Sequence, residues 1–160
     1  MDKQKQLEAH MEKTMVENNV HQAETVNGMM QSQYVACSYE DRTITMKFPV
    51  LPWQANRVGG FHGGTVCIMF DIVIAALARF FAGTDFAPTV SLDVKYIRPA
   101  AMGDEILVTA KAIATGKRIS QFTAEATNAR TGKLLATAAS VFLNVDTSRR
   151  GTTGQEGKKD

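Results

Sequence analysis

The run from Thr65 to Ala82, TVCIMFDIVIAALARFFA, limits what this chain can fold into more than any other stretch. Read as a helix it is apolar on nearly every face, and a helix of that kind is enclosed by other structure rather than laid on a surface. The spacing predicts a start near His62 or Gly63 and an end near Ala82, with Gly83 placed to stop it. The apolar run falls short of the ~20 residues of a membrane span and carries Asp71 and Arg79, so it reads as a core helix. Asp71 then needs a reason to be there, because an unpaired buried carboxylate is costly. Arg79 does not supply one: eight residues on, it lies about 12 Å away along the same axis.

The rest of the chain supplies the enclosure. Met29 to Val50 reads as a hairpin, MQSQYVACSYE and TITMKFPV around a turn at Asp41 and Arg42. A loop punctuated by Pro49, Pro52, Gly59 and Gly60 leads into the helix. Everything after it is strand-like: APTVSLDVKYIRP, DEILVTAKAIATG, KRISQFTAEATNAR and KLLATAASVFLNV. In the first of these Val90, Leu92, Val94 and Tyr96 alternate with Ser91, Asp93 and Lys95. Turns are expected at Ala101 to Asp104, Thr115 to Lys117 and Arg130 to Lys133. The expected architecture is α+β, an antiparallel sheet of about six strands curled around one central helix, where a partner subunit could cover what remains.

Residues 3–19 read as an amphipathic helix docked through Leu7, Met11 and Met15. From Asp146 the chain has no apolar residue and is expected to be disordered. The expected division is residues 1–24 as helix and linker, 25–146 as the domain and 147–160 as tail. A net charge of +2 with scattered Lys and Arg gives no basic stripe for nucleic acid, while a small anionic ligand fits. Cys37 and Cys67 sit in no metal-binding spacing and read as reduced thiols of a cytoplasmic protein. The N-terminus is too polar for a signal peptide.

Several pieces occur together in order: Asn56, the HGG at His62 to Gly64, Asp71 within the helix, TVSLDVKYIRPA at Thr89 to Ala100, MGD at Met102 to Asp104, and GKR at Gly116 to Arg118. This set, over roughly residues 30–145, resembles the hotdog-fold acyl-CoA thioesterases of the small single-domain branch that includes the phenylacetic-acid-degradation thioesterases. The resemblance implies the hotdog fold, a homodimer with a sheet continuous across two subunits, often paired again into a tetramer, and two sites at the dimer interface. It implies acyl-CoA as the substrate partner, with no cofactor, metal, nucleic acid or membrane.

The chemistry expected of the constellation follows. A helix N-terminus presents unpaired N–H groups and the positive end of its dipole. Gly63 brings no side chain between that N–H and an acyl carbonyl, so it can serve as oxyanion donor; alternatively the glycines only permit a tight turn. Asp71 lies about 12 Å from Gly63 along the helix. The resemblance supplies Asp71 from the opposite subunit, as nucleophile or general base on water.

By resemblance Asn56 holds water or the substrate carbonyl, and Thr89 orients Asp71; on their own terms Asn56 is a turn former and Thr89 a good strand residue. His62 either bonds near the thioester or fixes the loop. Arg57, Arg98, Lys117 and Arg118 are candidates for coenzyme A phosphates. Phe61 and Gly64, with Val58, Phe70 and Ile74, are expected along the substrate channel. Cys67 with His62 makes a poor nucleophile pair, since no orienting acid follows. A non-catalytic acyl-CoA-binding module and a hotdog dehydratase or hydratase are the alternatives.

Overall fold

Gly63–Ala82 forms one helix, α3, in a computed structural model that describes residues 2–145. The tail expected at 147–160 lies outside them. His62 caps the helix through Nδ1, which accepts from the Gly64 N–H at 2.9 Å. At the other end Gly83 adopts φ +65°, and the Thr84 N–H returns to the Arg79 carbonyl at 3.2 Å, a closure that favours a residue without Cβ. With Gly63 and Gly64 in its first turn, α3 has 20 residues, which is long and apolar enough to cross a membrane. The shorter count taken from Thr65 is corrected by those two glycines. In the fold, Val66, Met69, Phe70, Val73, Ile74 and Leu77 are buried instead against the sheet and α1.

The sheet is built from β1 (Gln33–Ser38), β2 (Thr43–Pro49), β3 (Thr89–Tyr96), β4 (Glu105–Thr115), β5 (Ile119–Asn128) and β6 (Leu134–Leu143). Its order is β1-β2-β4-β5-β6-β3, antiparallel throughout. Period-two patterning puts Ile44, Met46 and Phe48 of β2, Ile106 and Val108 of β4, and Phe122 and Phe142 of β5 and β6 on the inner face. Between them Ala110, Ala124 and Ala138 stand directly opposite one another across three adjacent strands. The same row continues through Ile44 on β2 to Cys37 on β1, and on the other side to Val94 on β3. Small residues in the middle and larger ones at the sides make a trough in which α3 lies; any longer side chain on that floor would lift it. This architecture is the hotdog fold, six antiparallel strands curled around a central helix.

β3 is an edge strand, which the alternation of its residues does not reveal. The register slips between Thr89 and Ser91, so Val90 bulges out and is 60% exposed, whereas Leu92 and Val94 turn partly inward. Tyr96, expected on the same inner face, is 58% exposed.

The N-terminal helix α1 (Lys3–Val16) stops earlier than the sequence pattern suggests. A wider turn follows over Glu17–His21, where Asn18, Asn19 and Val20 are weak helix formers. A short α2 (Val26–Met29) precedes β1. Leu7 and Met11 are fully buried as expected, and Gln4 clasps β1, donating to the Cys37 carbonyl at 3.2 Å and accepting from the Tyr39 N–H at 2.8 Å.

Candidate functional site

The N-terminal end of α3 is assembled by a loop that folds back on itself. Asn56 Oδ1 accepts from the N–H groups of Val58 and Gly60 at 3.0 and 2.9 Å, and the Asn56 N–H donates to the Gly60 carbonyl at 2.7 Å. Asn56 therefore works here as the turn former of its own reading, with its amide oxygen committed to backbone. The His62 N–H donates to the Gln54 carbonyl at 2.9 Å, which fixes the entry into α3, and the His62 ring caps the helix. Gly63 is left with an N–H that has no partner among the described residues.

A residue the sequence reading missed completes this end. The Tyr96 hydroxyl donates to the Gly63 carbonyl at 2.8 Å and touches Cys67 Sγ at 3.2 Å. Its bond with Cys67, and then burial, push the phenol up to about 12. The hydroxyl thus stays protonated at neutral pH. Contacts between residues 33 positions apart leave no local pattern, and the strand period says of Tyr96 only that it alternates with Val90, Leu92 and Val94.

Next to Gly63 lies a cavity of about 330 Å³, lined by Phe61, Val66, Met69, Ile97, Ile106 and Leu135 among others, with Arg98 at its wall. It is apolar and large enough for an acyl group. Arg98 is oriented by a bond from Nη1 to the Leu134 carbonyl at 2.9 Å. Phe61 lines this cavity as expected. Of the other residues expected along a channel, Val58 is 80% exposed on the loop, and Phe70 and Ile74 are fully buried in the core and do not line this cavity. On a helix apolar all round, the sequence does not say which apolar face meets a ligand. Gly64 is exposed beside the His62 ring, and Arg57 is exposed on the loop.

The second cluster sits at the opposite end of β3. The Thr89 hydroxyl donates to Asp71 Oδ1 at 2.6 Å, and Oδ2 has no partner among the described residues. Thr89 is opposite Phe142, which is opposite Ser120, and the Leu143 N–H donates to the Pro88 carbonyl at 2.9 Å. The exposed Lys117 and Arg118 turn is therefore at this end of the sheet, with the Arg118 carbonyl accepting from the Asn144 N–H at 2.7 Å. Within one chain Gly63 with Tyr96, His62 and Arg98 lies at one end of β3, and Asp71 with Thr89, Lys117 and Arg118 at the other. Seven residues of strand set Thr89 and Tyr96 about 23 Å apart.

Among the described residues no group of His, Cys, Asp and Glu has the arrangement of a metal site.

Residues 59–135 match the model of the family described as Thioesterase superfamily. The mouse acyl-coenzyme A thioesterase 13 is 38% identical over 86 residues, covering 52% of this chain and 59% of that relative. The human protein of the same name is 37% identical over the same share. The alignment thus spans somewhat over half the length of these curated relatives. Among solved structures, the mouse thioesterase superfamily member 2 superposes with a TM-score of 0.71 at 21% identity, over 88% of this chain and 98% of that one. The Escherichia coli PaaI protein of the phenylacetic acid degradation operon gives 0.69 at 16% identity, over 84% and 95%. At those identities the structural likeness speaks for the fold.

Proposed function

We propose that this chain, a hotdog protein with its residues 59–135 in the thioesterase superfamily, hydrolyses acyl-CoA thioesters to a free acid and coenzyme A at sites shared between two copies. The observation that carries this reading is that Gly63 with Tyr96 lies at one end of an edge strand and Asp71 with Thr89 at the other. If two copies join β3 to β3 antiparallel, about a two-fold axis near Leu92 and Asp93, Thr89 of one falls beside Tyr96 of the other. Asp71 then meets Gly63 across the interface, and Lys117 and Arg118 meet Arg98. The sheet becomes continuous, the exposed Val90 and Tyr96 are covered, and two such dimers pair in turn.

In this arrangement the thioester carbonyl oxygen accepts from the free Gly63 N–H, helped by the positive end of α3. The acyl group occupies the cavity of about 330 Å³ and the basic side chains face the coenzyme A phosphates. Thr89 holds Oδ1 of Asp71, which leaves Oδ2 to take the proton of a water as that water's oxygen bonds to the carbonyl carbon. The C–S bond then breaks and the proton passes to the departing thiolate. Attack by Oδ2 itself, through an anhydride that water later opens, uses the same geometry. Asn56 and His62 act by holding the loop and the helix start.

The test is release of free thiol from a panel of aromatic and straight-chain acyl-CoAs by wild type and Asp71→Asn. The variant keeps the shape of the side chain, and its turnover is expected to fall by at least ~100-fold. A wild-type chain that binds acyl-CoA without turning it over would make it a binding module, and an Asp71→Asn chain with full turnover would remove the carboxylate from the mechanism.

A further inference from the structure

The direction of the Gly63 N–H is set by a side chain that the proposed reaction does not yet use. A peptide unit is planar and trans, so the His62 carbonyl and the Gly63 N–H point opposite ways out of one rigid plane. Whatever holds that carbonyl therefore aims that N–H. The His62 carbonyl accepts from the Thr65 hydroxyl at 2.6 Å, from the Thr65 N–H at 3.0 Å and from the Val66 N–H at 3.3 Å. The hydroxyl makes the shortest of the three bonds, and Thr65 is buried, at 7% exposure.

The peptide that follows is held as well. Its carbonyl, on Gly63, accepts from the Tyr96 hydroxyl at 2.8 Å, and its N–H, on Gly64, donates to His62 Nδ1 at 2.9 Å. These bonds matter at this place because glycine has more backbone freedom than any other residue, and two glycines stand here in a row. A donor on so mobile a segment is useful only if something else immobilises it. Around Gly63 the neighbouring backbone groups are engaged, and its own N–H is left without a partner among the described residues.

A threonine hydroxyl turned back onto the carbonyl three residues earlier is a common local habit of helices. Two features set this one apart. The carbonyl already has two backbone donors, so the hydroxyl is not needed to satisfy it. It also belongs to the peptide that carries the free N–H, and a donor at an amide oxygen polarises that amide and strengthens its N–H. Thr65 does not line the cavity beside Gly63, so any effect on substrate passes through the peptide. From this geometry we propose that Thr65 is a positioning residue of the reaction, whose hydroxyl sets the aim and the strength of the Gly63 N–H, with Tyr96 fixing the next peptide. The role rests on the reading of that N–H as the oxyanion donor.

Thr65→Val keeps the branched shape, removes the hydroxyl and leaves the His62 carbonyl its two N–H donors, so Tm should stay close to that of wild type. In thiol release from acyl-CoA, kcat is expected to fall about 3- to 10-fold with KM held, and Thr65→Ser to restore most of it. A purely structural hydroxyl would change Tm and leave kcat per folded molecule alone. Thr65→Ala gives the same comparison if the valine variant were to unfold. A readout independent of turnover is the nuclear magnetic resonance signal of the Gly63 amide in glycine-labelled full chain, identified by its loss in Gly63→Ala. It should move in Thr65→Val and return in Thr65→Ser. An active wild type whose Thr65→Val variant keeps its kcat, or loses it without recovery in Thr65→Ser, overturns this proposal and leaves the proposed activity standing. A wild type without turnover overturns the activity instead; a Gly63 signal unmoved in Thr65→Val then overturns the hold on the amide too.

Discussion

Gly63→Ala adds one methyl group at the point where a thioester carbonyl has to approach, and its effects on folding and on turnover separate cleanly. A Cβ at position 63 lies 3.3 Å from Cζ and Oη of Tyr96, tighter than ordinary contact, against the ring of a side chain that is 58% exposed. The ring shifts by a few tenths of an ångström, at the cost of its bond to the Gly63 carbonyl, about 1 kcal/mol. Replacing glycine in a helix returns about 0.5–1 kcal/mol. Stability therefore changes by less than about 1 kcal/mol, since the two terms oppose each other. Turnover responds differently: alanine keeps the N–H, but its methyl group stands where the carbonyl approaches, and obstructing a preorganised oxyanion donor costs up to roughly 100- to 1,000-fold in kcat.

The assay is thiol release at saturating acyl-CoA, run beside thermal unfolding. A variant with near-native Tm and kcat within about 3-fold of wild type would refute the close approach of the thioester carbonyl at position 63. The same variant also probes the shared site. Co-expressed with Asp71→Asn, it forms hybrid dimers in which one site is intact and the other carries both changes, so random pairing restores about a quarter of the wild-type sites. Recovery of nothing would place Asp71 and Gly63 of one chain in one site and refute the β3 pairing.

Two further outcomes concern the body of the fold. Gly28→Ala places a Cβ 2.3 Å from the Gln22 carbonyl and 2.4 Å from Ala23 Cα, both backbone, so it should destabilise by about 1–3 kcal/mol in denaturant titration while activity per folded molecule holds. His10 has a pKa below its unfolded value of 6.5, chiefly through burial. The unfolded chain therefore protonates first, so this contribution to stability is full above that pH and is lost as pH falls towards the folded-state value. His10→Gln should flatten the fall of Tm between about pH 7 and pH 5; identical slopes for the two chains would refute the assignment.

The enclosed helix, the hairpin before it and the four strands after it were readable because burial on both sides, or on one face, writes a period into the sequence. Strand order writes none: β3 follows α3 directly yet, among the described residues, pairs only with β6, and its edge position emerges from tertiary contacts. The HGG turn and Asp71 stood out as glycines and a carboxylate in an apolar run. Tyr96 did not, because an aromatic residue at an alternating position looks like core. Phe70 and Ile74 were expected along a channel, whereas Val66 and Met69 border the cavity beside Gly63, since the choice among apolar faces of α3 depends on where the sheet leaves a gap. The turn at Glu17–His21 and α2 were absent from the reading, being too short to carry a period.

The alanine floor under α3 has a bearing on how such a chain can diversify. Ala110, Ala124 and Ala138 set the height of the helix, and the helix carries Gly63 and Asp71 together. Growth of any one of them would be felt at Gly63 and Asp71 at once, and selection would meet it as a single pleiotropic change. Val66, Met69, Ile97 and Leu135 border empty space and can be exchanged without moving that shared platform. A lineage adapting to new acyl groups would therefore be expected to accumulate its differences around the cavity and to keep the floor as it is.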